Sequence, residues 1–463
     1  MQNIFIKRVL SIAMALVMVM AIAGCGEEQS NPYKDKENPN SGNTGSSQTE
    51  IKYNVPLSTI GPNGKDYADY DPYADAKKYE GTTVKFATWI NHQNTEGAKP
   101  INDFKEKYGI NVELVYCSQN KYVEELLALI SAGNSPDVYV DGGMFPFTLQ
   151  VAEDFAVSGV DLNEPIWSRA SLNSTTVGNK VYSVNTINSV WAGTKICVYN
   201  RELMESNGIK TPSEYYEDGN WTWETMKKVM MQVDALGDDY HGGTLDIMDV
   251  IGPMGCDLVN YDYKNAKFTS NITNPELAKA MSLVQDLSKD NLLTSGADFE
   301  LGRVGIIIED PYAIKRTGYF KSMDGLDLGV TYVPDWDANK KSIFASNIRG
   351  YGIIKGSKNP KAAGMFIRYF LDAANYDLND TFISDDAANF FFEMSSKVEA
   401  SAAESPVLFN YGGIAMVSGQ SAWTWVQPVY GVDPSQVAAT LASQKNLVDN
   451  AIAKSNELIA KYK

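Results

Sequence analysis

Residues 82–141 read TTVKFATWINHQNTEGAKPINDFKEKYGINVELVYCSQNKYVEELLALISAGNSPDVYVD, and this stretch decides the fold class. Residues 84–89, 111–117 and 137–141 have the short, apolar-rich patterns of strands. The two segments between them carry apolar residues at helical spacing, and a glycine closes each helix. Such a βαβαβ run predicts a parallel sheet that is covered by helices.

A second series of strands and helices follows this run. Residues 194–199 are strand-like, and later helices begin at Pro275, Pro360 and Pro434, because proline suits the first helical position. The body from residue 81 to the end of the chain is about 380 residues long, which is too much for one hydrophobic core. We therefore expect two α/β domains.

The first 25 residues have the form of a secretion signal. Lys7 and Arg8 precede an apolar run over residues 9–23, which is too short to span a bilayer comfortably. We expect residues 1–24 to be a cleavable signal peptide. Its ending, IAGC, resembles the lipobox of bacterial lipoproteins, and this resemblance implies that Cys25 carries diacylglycerol.

The segment after the signal is polar. Residues 26–61 are dominated by Asn, Pro, Ser, Gly, Thr and charged residues, so they cannot bury enough apolar surface to fold. We assign residues 25–80 to the lipidated cysteine and a flexible tether, which would hold the body some tens of ångströms from the membrane, with its working part on the extracytoplasmic side.

The charge of the chain is acidic. The formal net charge of −17 becomes −19 once the signal is removed, because residues 1–24 contain Lys7, Arg8 and no acid. A strongly acidic protein disfavours nucleic acid and anionic lipid as direct partners. The acyl group is then the expected membrane contact.

The other cysteines, Cys117, Cys197 and Cys256, are odd in number and far apart. Their spacing fits neither a disulfide framework nor a metal site, and two of them lie in apolar strand-like runs, so we interpret them as small buried hydrophobic residues. We expect no cofactor and no structural metal.

Seven short motifs occur in an order that resembles that of the bacterial extracellular solute-binding protein family 1, the carbohydrate-binding subunits of ABC importers. They are FKEKYGINV (104–112), ALISAGNSPDV (128–138), YNREL (199–203), WETM (223–226), GRVGII (302–307), DPY (310–312) and SKNPKAAGMF (357–366). The resemblance covers residues 81–463, and its strength lies in the shared order of the fragments.

The resemblance implies a two-lobed periplasmic-binding-protein-like fold of type II. Each lobe would be an α/β unit with a mostly parallel sheet flanked by helices, three chain segments would form the hinge, and the ligand would lie in the cleft. We place lobe one at 82–190 plus 303–345, and lobe two at 194–300 plus 347–463. A ligand favours the closed state of such a fold because it then contacts both lobes.

A sugar ring offers apolar faces and paired hydroxyl groups, so its site needs flat aromatic rings and planar carboxylate, amide or guanidinium groups. Strand ends and expected crossovers provide such side chains, since parallel sheets bind ligands at their carboxyl ends. The six candidates chosen in this way are Trp89, Asn91, Asp141, Asn188, Trp191 and Arg349. Structural alternatives remain open, namely a turn role for Asp141, hinge packing for Trp191 and an acidic partner for Arg349.

The other candidates come from the resemblance. Tyr312 matches the position of the family's stacking aromatic after a G-P turn, although Asp310 replaces the glycine and tyrosine replaces tryptophan. Trp423 and Trp425 lie in a segment that resembles the S-A-x-W segment of maltose-binding relatives, and only one of them is expected to stack on sugar. We expect Trp223, inside a helix start, to be structural.

Two alternatives to a sugar receptor remain. A surface glycosidase needs only paired carboxylates, and the sequence leaves such pairs open. The chain has two histidines and no G-x-S-x-G, P-loop or H-E-x-x-H motif, so serine hydrolysis, nucleotide hydrolysis and zinc proteolysis lack their usual signs. Because the resemblance spans the body and implies a non-catalytic family, we expect no enzyme. The second alternative keeps the fold and binds a polyamine or a peptide, or acts in sensing, as the pair Glu309 and Asp310 would suit a cation.

We therefore expect a monomeric, lipid-anchored receptor on the extracytoplasmic face of the cell membrane. It would capture an oligosaccharide and deliver it to the permease subunits of an ABC transporter.

Overall fold

The computed structural model describes residues 58–191, 194–319, 327–337, 339–343, 350–401 and 412–463. All of these residues belong to one compact unit, Glu50–Lys463. Cys25 and Arg349 lie outside the described residues, as do the signal peptide and the first part of the expected tether.

Twelve strands occur in the described part of the chain. They are β1 (Thr83–Thr88), β2 (Asn111–Tyr116), β3 (Val138–Asp141), β4 (Thr176–Val177), β5 (Lys180–Val181), β6 (Ile196–Asn200), β7 (His241–Thr244), β8 (Val259–Asp262), β9 (Lys267–Ser270), β10 (Val304–Glu309), β11 (Leu328–Tyr332) and β12 (Gly350–Ile353).

The α-helices of the described residues lie mostly between these strands and after them. They are α1 (Ala98–Tyr108), α2 (Tyr122–Ser131), α3 (Arg169–Ser174), α4 (Arg201–Ser206), α5 (Pro212–Glu217), α6 (Trp223–Asp234), α7 (Ile247–Ile251), α8 (Pro275–Lys289), α9 (Gly296–Glu300), α10 (Pro360–Phe370), α11 (Leu378–Thr381), α12 (Asp385–Ser401), α13 (Gly412–Ser418), α14 (Trp423–Val426), α15 (Val437–Ser443) and α16 (Lys445–Ala460).

The sheet of lobe one contains the βαβαβ run that the sequence predicts. Its strand order is β12-β3-β1-β2. Strand β1 pairs in parallel with β2 and β3, while β12 runs antiparallel to β3. Both faces of β1 are buried, with Phe86 on one side and Ala87 on the other, because helices cover both faces of the sheet.

The sheet of lobe two has the order β11-β6-β10-β7. Strand β6 runs antiparallel to both of its neighbours, and only β10 and β7 are parallel. Expecting a mostly parallel sheet is therefore right for lobe one and wrong for lobe two. The difference arises because β6 enters its sheet from a crossover rather than from a local βαβ unit.

The expected lobe boundaries need a correction. Strands β10 and β11, which we assigned to lobe one within 303–345, hydrogen-bond to β6 and β7 of lobe two. Strand β12, which we assigned to lobe two within 347–463, pairs with β3 of lobe one. Strand pairing is a non-local contact, so the apolar pattern of β10 identifies a buried strand without revealing which sheet it joins.

The chain passes between the sheets three times. It leaves lobe one between β3 and β6 and returns between β11 and β12. It crosses again after α10, since α15 packs on α8 and α16 packs on β9. Two of the three expected crossovers, near 190–194 and 345–347, agree with these crossings, whereas the one expected near 300–303 is wrong, because β10 stays in the lobe-two sheet and the third crossing follows α10.

The last part of the expected tether is folded onto lobe one. Tyr73 stacks on Tyr108 with ring centroids 4.8 Å apart, and the Tyr67 hydroxyl donates a 2.7 Å hydrogen bond to Asp161. The prediction of a flexible tether is therefore wrong for residues 58–80. Aromatic residues interrupt the polar composition there, and they supply the apolar surface that the earlier residues lack.

The three cysteines in the described residues are free and buried, as the sequence predicts. In the described ranges, no set of three or more His, Cys, Asp or Glu side chains is arranged to hold a metal ion. None of the helices in these ranges is both long and apolar enough to cross a membrane.

Candidate ligand-binding site

Each sheet brings several chain segments to one edge. In lobe one this is the carboxyl edge of the parallel strands β1, β2 and β3. In lobe two, the last residues of β10 and β11, Glu309 and Tyr332, are both paired with Ile196, the first residue of β6. Strand β7 runs parallel to β10 and ends at the same edge. Most of the site residues predicted from the sequence lie in the loops at these two edges.

Trp89 follows β1 and is rigidly held. Its half-buried indole meets the ring of Tyr122 edge-on, with ring centroids 4.8 Å apart and planes at 87°. Gly142 lies against the indole so closely that a Cβ atom there would be 2.6 Å from the Trp89 ring. The packing fixes the plane of Trp89, as a stacking surface requires.

Asn91 is exposed on the same edge and also has fixed geometry. Its side-chain oxygen accepts a hydrogen bond from the backbone of Gln93 at 3.2 Å and another from the hydroxyl of Tyr116 at 2.9 Å. Tyr116 ends β2 and is 52% exposed. Tyr116 was not among the residues predicted from the sequence, although its position at a strand end was a usable signal.

Asp141 has the alternative role of a turn residue. Its buried carboxylate accepts hydrogen bonds from the backbone of Met144 at 2.8 Å, from the backbone of Phe145 at 3.1 Å and from the hydroxyl of Thr148 at 3.1 Å. Burial raises the pKa of Asp141 to about 6 despite these donors. With its acceptors occupied inside lobe one, Asp141 is not retained in the candidate site.

Trp191 also has its alternative role, which is hinge packing. It is 7% exposed and stacks on Phe370 with ring centroids 5.9 Å apart. Its indole nitrogen donates a 2.8 Å hydrogen bond to the hydroxyl of Tyr376. Asn188 is buried beside this crossover, and its side-chain oxygen has no hydrogen-bond partner among the described residues.

Asp310 and Tyr312 organise the turn after β10, in lobe two. The Asp310 side chain caps a short 3₁₀ helix by accepting a 2.8 Å hydrogen bond from the backbone of Tyr312. It also accepts a 3.3 Å hydrogen bond from the hydroxyl of Tyr319, which is 43% exposed. The Tyr319 ring meets the Tyr312 ring edge-on, with centroids 5.0 Å apart. Tyr319 is the more exposed of the two, although the resemblance assigns the stacking role to Tyr312.

A charged cluster lies at the start of β6. The Lys195 ammonium group is 2.6 Å from Asp249, and Asp249 in turn accepts a 2.6 Å hydrogen bond from the backbone of Asp246. Burial would lower the pKa of Lys195, but Asp249, Glu309 and Asp310 together hold it above its usual range. Burial, reinforced by the charges of Asp249 and Asp310, raises the pKa of Glu309 to about 7.

The C-terminal tryptophans have different surroundings. Trp425 is fully buried, and its indole nitrogen donates a 2.8 Å hydrogen bond to Gln420, so it belongs to the core. Trp423 is 46% exposed, and its ring centroid lies 4.9 Å from that of Tyr430. The Tyr430 hydroxyl is 2.7 and 2.6 Å from the two carboxylate oxygens of Asp246, which links Trp423 to the charged cluster.

One buried ion pair joins the lobes. Glu96, in the loop between β1 and α1, lies 3.0 Å from Lys315, which follows β10, and each side chain is 3% exposed. The hydroxyl of Thr317 donates a 2.7 Å hydrogen bond to Glu96, and the Lys315 ammonium group lies 4.3 Å above the Trp191 ring. Both charges sit in polar segments, so no local sequence pattern indicates this pair.

The geometry defines a class of fold, in which chain crossovers join two α/β lobes. The match to a family model agrees with this class. Residues 99–389 match the model described as bacterial extracellular solute-binding protein, and the chain belongs to that family. The resemblance found in the sequence is thereby confirmed, and the family description names solute binding rather than catalysis and places the protein outside the cytoplasm. None of the curated proteins compared with the chain matches it.

Solved structures share this fold at low sequence identity. The cyclic α-maltosyl-1,6-maltose binding protein from Arthrobacter globiformis is 14% identical, with 82% of this chain and 99% of that chain covered and a TM-score of 0.58. The galacto-N-biose-/lacto-N-biose I-binding protein of the ABC transporter from Bifidobacterium longum is 14% identical, with 83% and 98% covered and a TM-score of 0.57. The GacH receptor of Streptomyces glaucescens is 17% identical, with 82% and 99% covered and a TM-score of 0.55. These likenesses confirm the type II two-lobed fold.

Proposed function

We propose that this protein is a lipid-anchored receptor that captures an oligosaccharide between its lobes and delivers it to an ABC importer. The observation that carries the proposal is the arrangement of Trp423, Tyr430 and Asp246, in which an exposed indole packs on a tyrosine ring whose hydroxyl is hydrogen-bonded to a carboxylate. Such a ring stacks on the apolar face of a pyranose, while Asp246 holds the tyrosine that supports the indole.

Trp89 and Asn91 provide the matching chemistry on lobe one. A rigid aromatic ring and an exposed amide at the carboxyl edge of a parallel sheet occupy the place where such sheets bind ligands. Because the packing around Trp89 fixes its ring before binding, little side-chain entropy remains to be lost. Trp89, Asn91, Trp423 and the turn at Asp310 and Tyr312 are the contacts that we propose.

The solved relatives support a carbohydrate as the ligand. Two of those described above are named for oligosaccharides that they bind, and the GacH receptor has a structure in complex with acarbose. The lipid anchor at Cys25, the monomeric state and delivery to permease subunits are parts of the proposal that derive from the sequence.

Thermal unfolding of residues 58–463 against a panel of oligosaccharides, polyamines and peptides tests the function. A ligand at 100 times its dissociation constant stabilises a protein by about 2.7 kcal/mol. We expect stabilisation by at least one oligosaccharide. Stabilisation by peptides or polyamines alone would reject the proposal that the ligand is a carbohydrate. In a separate hydrolysis assay, sustained release of product from an oligosaccharide would reject the proposal that the protein only binds its ligand.

A cationic ligand is the second candidate, and the charged cluster favours it. Asp249, Glu309 and Asp310 surround one ammonium group, that of Lys195, and Asp246 lies beside Asp249, so negative charge is in excess there. Polyamine binding would weaken steeply as salt rises, whereas binding of a neutral saccharide would be nearly independent of salt. A titration at two salt concentrations separates the two ligands.

A further inference from the structure

The turn that follows β10 is tied together by its own contacts. The Tyr312 hydroxyl donates a 2.5 Å hydrogen bond to the carbonyl oxygen of Thr317, and the Tyr312 carbonyl accepts a 3.2 Å hydrogen bond from the backbone of Lys315. Gly318 lies so close that a Cβ atom there would be 1.8 Å from that carbonyl oxygen. Asp310 caps the same turn. The two proposed ligand contacts in this turn are therefore fixed relative to Lys315 and Thr317.

This turn belongs to lobe two by its strand and is held by a side chain of lobe one. The Lys315 ammonium group lies 3.0 Å from Glu96, and the Thr317 hydroxyl donates a 2.7 Å hydrogen bond to the same carboxylate. Glu96 lies in the loop between β1 and α1, where Gly97 packs closely on the ring of His92. We call Glu96, Lys315 and Thr317 the interlobe joint.

The interlobe joint lies on the chain crossovers. The Lys315 ammonium group is 4.3 Å from the centre of the Trp191 ring, and Trp191 lies in the first crossover, between β3 and β6. The Trp191 indole nitrogen donates a 2.8 Å hydrogen bond to Tyr376, which follows α10, where the chain crosses for the third time. Two-lobed proteins bend at such connections, so a change in the angle between the lobes must strain or separate the joint.

The burial of this ion pair indicates a role other than stability. Glu96 and Lys315 are each 3% exposed, so neither side chain is open to a ligand. Apolar side chains of similar volume in the place of a buried ion pair are often equally stabilising. A buried pair does distinguish between arrangements, because a movement that separates the charges leaves both of them desolvated and without a counter-charge. The joint therefore favours one relative position of the lobes over others.

We propose that the interlobe joint consists of positioning residues, which fix the lobes in the arrangement that binds the solute. The joint keeps the ligand contacts of lobe two in register with those of lobe one and does not itself touch the ligand. The proposal rests on the proposed function and goes beyond it, because it assigns a role in binding to side chains outside the site. A receptor whose binding-competent arrangement is less populated binds its ligand more weakly in the same proportion.

The test measures lobe positions and affinity in one variant. The double variant Glu96→Gln/Lys315→Met removes both charges, so it avoids the loss of stability that one unpaired buried charge causes. Spin labels at Glu106→Cys on α1 and Met231→Cys on α6, which are both exposed positions, report the distance between the lobes by pulsed electron paramagnetic resonance. The native cysteines among the described residues are buried. The chain from residue 26 onward is used, which keeps all of the described residues.

We expect two changes in the double variant. Without ligand, the distribution of distances between the labels should be broader than in the wild type. The affinity for a tetrasaccharide, measured by titration calorimetry, should fall about fivefold or more, which is the usual scale of coupling between conformation and binding. The probes are maltotetraose, cellotetraose and xylotetraose, and the one that binds the wild type most tightly is used.

Two further variants keep the test decisive. Glu276→Gln/Lys340→Met is the control, because it removes an exposed ion pair of lobe two with a separation of 3.0 Å, and it should change neither quantity. Thr317→Val keeps both charges of the joint and removes one hydrogen bond to Glu96. It should cause the same two changes at a smaller scale, and it replaces the double variant if that variant does not fold.

The two measurements separate the joint from the receptor function. Unchanged distances in the double variant would overturn the joint, whatever the affinity. Broader distances with unchanged affinity would overturn its role in binding. If none of the three tetrasaccharides binds the wild-type chain, the carbohydrate-receptor proposal fails by itself, and the distances alone then decide whether the ion pair fixes the lobes.

Discussion

The buried ion pair between Glu96 and Lys315 offers the sharpest test of the structure. Both side chains are 3% exposed and lie 3.0 Å apart, and Glu96 also accepts a hydrogen bond from Thr317. Substituting Glu96→Gln leaves the ammonium group of Lys315 buried without a counter-charge. Removing one partner of such a pair costs about 3–5 kcal/mol of stability, because the remaining charge stays desolvated.

Urea denaturation followed by circular dichroism measures this loss. The exposed pair of Glu224 and Lys228, with a separation of 2.7 Å, provides the control, since the substitution Glu224→Gln should change stability little. The double variant Glu96→Gln/Lys315→Met removes both charges and should recover most of the loss. Equal effects of Glu96→Gln and Glu224→Gln would refute the assignment of a buried pair.

The same pair predicts a dependence on pH. Burial tends to raise the pKa of Glu96, but Lys315 and Thr317 outweigh it and hold the pKa below its ordinary value of 4.5. A carboxylate whose pKa is depressed by folding contributes stability above its unfolded pKa and loses it as the pH falls through its folded pKa. The difference in stability between wild type and Glu96→Gln should therefore shrink as the solution is acidified below about pH 4.5.

Three other sets of substitutions test the described contacts. Trp423→Ala should weaken saccharide binding, measured by titration calorimetry, by about 1–3 kcal/mol with little loss of stability. Trp425→Ala should lower stability, measured by denaturation, by about 3–5 kcal/mol. The opposite pattern would mean that Trp425 contacts the ligand and Trp423 belongs to the core. Gly142→Ala should displace the Trp89 indole, lower stability by about 1–3 kcal/mol and weaken saccharide binding. Gly296→Ala is the control and should change neither quantity, because the nearest atom to a Cβ there lies 4.0 Å away. Glu309→Gln should stabilise the protein near pH 8 by up to about 3 kcal/mol and have little effect at pH 4. Folding raises the pKa of Glu309 to about 7, so the contribution of its protonated form to stability is full below about pH 4.5 and is lost as the pH rises through 7. A difference between wild type and variant that does not depend on pH would contradict this assignment.

Local patterns predicted the elements of the fold well, because strand and helix periodicity is a property of neighbouring residues. They failed where a contact with a strand that is distant in the sequence determines which sheet an element joins. The apolar run of β10 contains Ile306 and Ile307, which face opposite sides of a sheet, and any buried strand would look the same. Which sheet it joins depends on β6, which precedes it by about a hundred residues, and no local signal records that pairing.

The candidate site shows the same division. Strand ends correctly indicated where Trp89 and Asn91 lie, since the carboxyl edge follows from strand direction. Trp423 and Trp425 are two residues apart and chemically identical, and only packing shows that the second is fully buried. Tyr116 also ends a strand, but its exposure of 52% is set by the packing of the folded chain and not by a local pattern.

Residues 58–80 pack on lobe one, so the chain that precedes residue 58 is joined to the body through this lobe. Tyr67 and Tyr73 fix this segment to lobe one through Asp161 and Tyr108. A pull on the chain before residue 58 is therefore borne by lobe one and does not pass through the crossovers.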